Sequence, residues 1–205
     1  MITPQTLPHS KSLRLLMQSL ATLDAIYSPE WEYRYYSYDS NWGEGEEMGS
    51  IRNGSGDTFF ALFSSYGCFI KGFSHEYPIH GKSADDFYSG IPKEFVEASQ
   101  EPAFSPNNVS FCCWQRGNQS HWESPIPDNE LNPDSFFLLE DLNGDETSYE
   151  KFVHEYYEMS SSLDKISAVY QHKPMTSELA RSMNPAIEYA KLVNDLIDIG
   201  YPVSS

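Results

Sequence analysis

The sequence is poor in cysteine and has no long apolar run. Its three cysteines, Cys68, Cys112 and Cys113, are an odd number without the spacing of a redox or zinc motif. Two adjacent thiols on an extended strand point to opposite faces, so we expect reduced, buried thiols in a cytoplasmic protein. Polar residues interrupt the apolar stretch 13–26, which does not resemble a secretory signal. No run approaches the roughly 20 apolar residues that a membrane span requires.

Positive charge is also scarce. The 205 residues include 13 Lys and Arg against 30 Asp and Glu, for a net charge of −17. A field of this sign repels nucleic acids and anionic membranes, and it accelerates the encounter with a basic partner. We therefore expect neither nucleic acid nor membrane as a partner. The hydrophobic content of 40% and the aromatic content of 15% exclude a disordered chain, and the length suits a single domain spanning 1–205.

Aromatic-rich runs in the first half predict an antiparallel sheet. Residues 59–63 and 68–73 flank a short glycine-containing connection and predict a central hairpin. Because 59–63 is apolar at odd and even positions, this strand should be covered on both faces and lie mid-sheet. Alternation predicts an earlier strand at 31–38, and an acidic loop at 43–49 should lead into the next strand. With a strand at 109–115, the pattern is a meander of about five to six strands.

Helical periodicity appears on both sides of the sheet region. The stretch 11–27 predicts an N-terminal helix, and from about residue 132 the apolar period becomes helical again. Asn184 as cap and Pro185 at the first position predict the start of the last helix, and Gly200 its end. The fold class is therefore α+β, with an N-terminal helix, a β-meander and a C-terminal group of three to four helices. The only candidate subdivision is the proline cluster near 123–133.

No motif fixes a reaction. The stretch from Asp141 to Asp145 resembles a calcium loop, but Gly144 stands fourth instead of sixth and Phe152 occupies the position of the final glutamate. The glycine-rich turn 53–56 is followed by neither a lysine nor a helix, so it is not a phosphate-binding loop. No nucleophile elbow is present. We predict no catalytic residue and no cofactor, and the pattern favours a protein that is not an enzyme.

Histidines and acids in the middle of the chain are candidate metal ligands. Their spacing matches no zinc pattern, and isolated histidines usually serve hydrogen bonding or packing. We therefore predict no metal. The residues considered are His75, Glu76, His80, His121 and Glu123.

Negative charge is concentrated in 123–158, which holds eleven acidic residues and one basic residue, Lys151. Aromatic residues lie among them, and acidic surfaces with aromatic anchors suit recognition of a basic protein. The alternative is a solvated helical face whose aromatic residues belong to the core. In general character the chain resembles the immunity proteins that neutralise bacterial toxins, a resemblance of type that no particular residue carries. The leading hypothesis is an inhibitory protein-binding domain that occludes a basic partner through Glu140, Asp141, Asp145 and Glu146.

A second hypothesis places a ligand on the segment that follows the first strand. Tyr38, Trp42, Glu44 and Glu46 combine aromatic rings with carboxylates, as in sugar-binding grooves and glycoside hydrolases. It predicts a small-ligand or carbohydrate-binding protein or a hydrolase, and an aromatic pocket at this segment would favour it. A third hypothesis, an oligomeric module, rests on 31–38 lying at a sheet edge.

Overall fold

The computed structural model describes residues 2–77 and 81–204. It has a mixed α+β fold in which an N-terminal helix, a five-stranded antiparallel sheet and C-terminal helices follow one another, as the sequence predicted. Short 3-10 turns connect several elements. The strands are β1 (Tyr36–Gly43), β2 (Glu46–Arg52), β3 (Thr58–Ser64), β4 (Gly67–Phe73) and β5 (Phe111–Arg116); the helices are α1 (Ser10–Tyr27), α2 (Ala84–Phe87), α3 (Val96–Ser99), α4 (Glu146–Tyr156), α5 (Leu163–Tyr170), α6 (Ser177–Met183) and α7 (Tyr189–Ile199).

The sheet is a meander in which each strand pairs only with its sequence neighbours. The predicted central hairpin is confirmed, since β3 and β4 pair from Thr58 and Phe73 to the two-residue turn between Ser64 and Gly67. Strand β3 lies in the middle of the five and is buried on both faces. Burial on both faces explains why apolar residues fill its odd and even positions.

The predicted strand at 31–38 is wrong in its first half. Trp31–Tyr33 forms a 3-10 turn, and pairing with β2 begins only at Tyr36. The backbone N–H groups of Tyr35 and Tyr36 donate to the Asp24 carboxylate. Trp31 and Tyr33 are exposed, so the alternation of aromatic residues reflects a surface turn instead of a pleated strand.

The predicted acidic loop at 43–49 is also wrong. Strand β1 continues to Gly43, and β2 begins at Glu46. Only Glu44 and Gly45 form the turn, and Gly45 has a φ of 73°, which glycine adopts without strain. The acidic side chains of this segment therefore lie on a hairpin.

Helix α1 lies between the sheet and the C-terminal helices, and every residue from Leu16 to its end at Tyr27 is buried. On the sheet side, a Cβ at Gly49 would overlap the end of the Met17 side chain, so the glycine lets the helix approach closely. On the other side, the side chains of Gln18 and Ser19 donate to the carbonyls of Ile199 and Val169.

The predicted start of the last helix is wrong, although its end at Gly200 is confirmed with a φ of 74°. Helix α7 begins at Tyr189, and Asn184 instead ends α6. The Asn184 amide donates to the carbonyl of Ile26 at 2.7 Å, which ties this turn to α1. The Asn184 side-chain oxygen accepts from the Ala186 N–H at 3.1 Å, so Asn184 caps a short turn at 185–186, and α7 begins only after it.

The second face of the sheet is covered by the segment between β4 and β5. Phe104 stacks on Phe60, and the buried ammonium of Lys71 donates to the carbonyls of Phe104 and Ser105 at 2.5 and 2.9 Å. Burial lowers the pKa of Lys71 to about 8. This covering lies over β3 to β5, and a groove borders the face at β1 and β2.

Candidate functional site

Two adjoining depressions of about 510 and 550 Å³ share Trp31, Arg34, Ser37 and Arg52. We call them together the Arg52 groove. Three aromatic side chains at this end of the molecule are unusually exposed: Trp31 at 55%, Tyr33 at 66% and Tyr156 at 44%. All three line the same depression. Large aromatic rings rarely converge on water without a partner, so this groove is the candidate site.

Arg52 is the central cation of the groove. Its guanidinium carbon lies 5.1 Å from the Trp31 ring centroid and 5.8 Å from that of Phe60, both within cation–π range. Burial lowers the pKa of Arg52, but an arginine stays charged at neutral pH. Within residues 2–77 and 81–204, no acceptor receives a hydrogen bond from this guanidinium, and the buried hydroxyl of Ser50 beside it also lacks a partner. The Arg52 guanidinium is therefore the group that a ligand in the groove can pair with, whereas the Ser50 hydroxyl is buried beneath it.

Arg34 has a different role, because three of its five guanidinium N–H groups already donate to the protein. It donates to the carbonyls of Ser28 and Pro29 at 2.8 Å and to the Asp195 carboxylate at 2.8 Å. These bonds tie the turn that carries Trp31 to helix α7. The wall of the groove is thereby held in place by a buried side chain.

The opposite wall depends on Asp24, a fully buried carboxylate on α1. It accepts hydrogen bonds from the N–H groups of Tyr35 and Tyr36 at 2.8 and 2.7 Å, and from the hydroxyls of Tyr149 and Tyr157 at 2.7 and 2.8 Å. Burial raises the pKa of Asp24 to about 6 against the effect of these donors. The carboxylate thus joins α1, the start of β1 and α4.

The structure gives the four predicted partner-binding acids different surroundings. Glu140 is exposed and makes no hydrogen bond to a described residue. Asp141 accepts from the Tyr36 hydroxyl at 2.5 Å, and burial raises its pKa. Asp145 caps α4 by accepting from the N–H of Thr147, and Glu146 accepts from the Ser167 hydroxyl at 3.0 Å. Their role in binding stays a prediction, with Glu140 and Asp145 the two exposed residues of the four.

The four residues of the second hypothesis do not come together on one surface. Tyr38 is buried on the α1 side of the sheet, where its hydroxyl donates to Glu47 at 2.7 Å. Trp42 stacks on Phe104 over the other face, with ring centroids 5.8 Å apart. Glu44 and Glu46 lie at the β1–β2 turn. Tyr38 and Trp42 still border the Arg52 groove, which Glu44 and Glu46 do not line.

The histidines considered for a metal lie apart. His75 contacts Asp57 at 2.8 Å beside the β2–β3 turn, whereas His121 lies beyond β5 at the other end of the sheet. His80 falls outside the described residues. In the part of the chain that the structure describes, no three His, Cys, Asp or Glu residues form a group that could hold a metal ion.

All three cysteines are buried and unpaired by disulfide bonds. Burial raises the pKa of each thiol, so none is an activated nucleophile. Among the described helices, none combines the length and the apolar character needed to cross a bilayer.

Comparison with known proteins gave no match: no family model fits the chain, and no curated protein or solved structure is similar to it. The features that bear on function are therefore the groove and the charges around it. Sequence reasoning missed Arg52, Trp31 and Tyr33 as site residues. The one available signal was an arginine at the end of a strand in a chain with few cations, beside an aromatic segment that had been assigned to the sheet.

Proposed function

We propose that this protein is a protein-binding domain that inhibits a basic partner by occlusion, through the Arg52 groove and the acidic helix α4 beside it. The observation that carries the proposal is the convergence of Trp31, Tyr33 and Tyr156 on one groove. The proposal keeps the basic partner expected from the net charge, and it assigns the contact residues to the groove.

The residue types support an interface. Trp, Tyr and Arg are the residues most enriched among binding hot spots, because they bury a large area and lose few rotatable bonds. Trp31, Tyr33, Arg52 and Tyr156 supply all three types around one depression. A partner that covers them would also exclude water from the Arg52 guanidinium and provide it with a carbonyl or carboxylate acceptor.

Charge supports a basic partner. Glu32 lies on the turn that carries Trp31 and Tyr33, Glu155 lies on α4, and Glu158 follows the end of α4; all three are exposed. Glu140 is exposed earlier in the same acidic stretch. Lys151 pairs with Glu155 at 3.8 Å and offsets only part of this charge. Such a surface steers a basic protein during encounter, an effect that salt screens.

The test captures proteins from a lysate of the encoding organism on the wild type and on two variants. The aromatic variant carries Trp31→Ala and Tyr156→Ala; the charge variant carries Glu140→Gln, Glu155→Gln and Glu158→Gln. Asp85→Asn with Glu97→Gln, two exposed acids elsewhere on the surface, serves as the control. A basic protein retained by wild type and control but lost from the aromatic variant would support the proposal.

The captured protein is then measured by binding kinetics. We expect the aromatic variant to weaken binding at least about 30-fold, as the loss of one hot spot of ~2 kcal/mol already does. The charge variant should lower the association rate about tenfold at low salt and flatten its salt dependence. Equal retention by wild type and aromatic variant would refute the groove as the interface.

A small-ligand function is the second candidate, because Trp42 and Asp39 border the same groove with Asp195 and Asp198. Aromatic faces beside carboxylates are suited to sugars. If no protein is captured, this alternative is tested by titrating wild type and Trp42→Ala with mono- and disaccharides. The readout is tryptophan fluorescence. No fluorescence change in wild type with any of the sugars, or equal affinities in wild type and Trp42→Ala, would contradict it.

A further inference from the structure

A cavity of about 730 Å³ lies at the other end of the sheet from the Arg52 groove, between the start of α1, the β3–β4 turn and the end of β5. Three basic residues line it, Lys11, Arg14 and Arg116. The whole sequence has only 13. The chain has a net charge of −17, so three cations at one cavity form a local positive charge on a negatively charged protein.

The three cations are only partly engaged by the protein itself. Arg14 donates to Glu47 through Nε at 2.9 Å and Nη2 at 2.6 Å, which fixes its guanidinium and leaves its other N–H groups without an acceptor among the described residues. Arg116 lies 4.0 Å from Glu123, and its buried Nε–H meets no acceptor in the same part of the chain. Lys11 is exposed and forms no ion pair with a described residue.

The opposing charges are few. Glu94 is the only acid that lines the cavity within the described residues. Glu47 is occupied by Arg14 and by the Tyr38 hydroxyl. Glu123 accepts from the Trp114 indole, a hydrogen bond that lowers the pKa of Glu123, and it lies outside the cavity lining. The lining residues alone therefore carry a net charge of about +2, and the neighbouring Glu47 and Glu123 bring the wider surroundings to about zero. In a chain with a net charge of −17, this is a region that repels an anion much less than the average surface does.

Helix α1 adds to the attraction without supplying free donors. Its N-terminus opens on the cavity, but the N–H groups of Ser10 and Lys11 already donate to Gln115 and His9. The helix dipole still places partial positive charge there. The direct contacts to an anion must therefore come from side chains: the three cations and the hydroxyls of Ser64 and Ser65 at the rim.

We propose that this cavity binds a small phosphorylated molecule, with its phosphate group held by Lys11, Arg14 and Arg116. Two arginines and a lysine match the charge and the several acceptor oxygens of a phosphate better than those of a single carboxylate. The volume lies in the range of small-molecule sites, and the overall charge disfavours a nucleic acid. The site needs no glycine-rich loop, and it is independent of the proposed protein-binding function.

Tyr66 suggests how the rest of the ligand is recognised. Its ring is 60% exposed and lines the cavity at the β3–β4 turn. A planar group attached to the phosphate, such as a nucleobase, can stack on this ring. Pyrophosphate and ADP are therefore the two probes that separate recognition of the phosphate alone from recognition of a nucleotide.

The test is calorimetric titration of the full chain with pyrophosphate and with ADP at constant ionic strength. Wild type should bind one equivalent, and Arg116→Gln and Lys11→Gln should each weaken binding at least tenfold. Lys173→Gln removes an exposed lysine that does not line the cavity and should leave binding unchanged. Arg116→Lys should restore part of the affinity, because it restores the charge but not the fork of donors.

Tyr66→Ala then separates the two ligand classes: weaker binding of ADP alone assigns a nucleotide, whereas equal binding assigns the phosphate group. Amide shifts on pyrophosphate addition should be confined to 64–67, 116–118 and the start of α1. Absence of binding to both probes, or equal binding by wild type and Arg116→Gln, would overturn the proposal. Matching thermal unfolding of all variants excludes a loss of fold as the cause.

Discussion

Replacing Asp24 by asparagine should make the protein more stable at neutral pH, although it removes a carboxylate with four hydrogen bonds. The Oδ2 atom accepts from Tyr35, Tyr36 and Tyr157, and Oδ1 accepts only from the Tyr149 hydroxyl. An asparagine can place its oxygen at Oδ2 and its amide group at Oδ1. The Tyr149 hydroxyl then rotates and accepts one amide hydrogen instead of donating, so the contact is kept, although the hydroxyl hydrogen and the second amide hydrogen lose an acceptor. That cost does not depend on pH.

The size of the effect follows from the pKa of Asp24, about 6 in the fold against an ordinary 3.8. Between about pH 4 and pH 6, the Asp24 carboxyl is therefore protonated in the folded state and ionised in the unfolded chain. Stability is fully present below about pH 4, falls as the pH rises through about 6, and is level above it. At about 1.4 kcal/mol per unit, the loss amounts to about 3 kcal/mol. Asp24→Asn cannot lose a proton and escapes this loss.

The assay is urea unfolding of wild type and Asp24→Asn at pH 4, 5, 6 and 7, at one ionic strength. We compare differences between the two proteins, because other carboxylates titrate equally in both. The free energy of unfolding of the variant minus that of wild type should rise by about 2.4 kcal/mol from pH 4 to pH 7, since part of the loss of about 3 kcal/mol has already occurred at pH 4. A flat difference, or one that falls, would show that the four donors keep Asp24 ionised and would refute the reasoning.

Asp57→Asn is the matched control. Burial raises the pKa of Asp57, but hydrogen bonds from His75 and Asn53 outweigh it and the net pKa is lowered. Stability from a lowered carboxyl pKa is present above the ordinary value of 3.8 and is lost as the pH falls below it. This variant should therefore lose stability relative to wild type as the pH rises through that region, the opposite sign to Asp24→Asn.

Two further substitutions test the packing on either side of the sheet. Lys71→Met removes a buried ammonium whose pKa is lowered from 10.5 to about 8 by burial. The free energy of unfolding of wild type should therefore rise by about 3 kcal/mol relative to that of the variant between pH 8 and pH 10.5, measured by urea unfolding. A difference that does not change with pH would contradict this. Gly72→Ala should cost about 1–3 kcal/mol because its Cβ would overlap the rigid, buried ring of Phe111, and Phe111→Leu in the same chain should recover part of that cost in a double-mutant cycle; simple additivity would show that the two residues do not clash.

The sheet could be predicted because its signals are local. Strand β3 is apolar at every position from Phe59 to Phe63, and a strand covered on both faces requires that composition. The turn at 31–33 could not be separated from a strand in the same way. Alternating aromatic residues can occur in a strand that faces the core or in a turn that faces water, and the sequence pattern is the same in both.

The two candidate sites could not be predicted because they join distant residues. In a helical pattern Asp24 interrupts an apolar face, and nothing local indicates that Tyr149 and Tyr157, 125 and 133 residues further on, will donate to it. Lys11 and Arg116 likewise meet only because the start of α1 lies against the end of β5. Spacing rules apply within one element, whereas these sites depend on the register between elements.

The enclosure of α1 has a consequence for synthesis on the ribosome. The sheet that covers one side of the helix follows it directly and pairs only between neighbours, so it forms early. Ser19 and Gln18 meet their carbonyl partners 150 and 181 residues later. At about 5–20 residues per second, roughly 10 to 35 seconds pass before those partners emerge. During that interval a nascent chain presents the uncovered side of α1, and a holding chaperone should bind there.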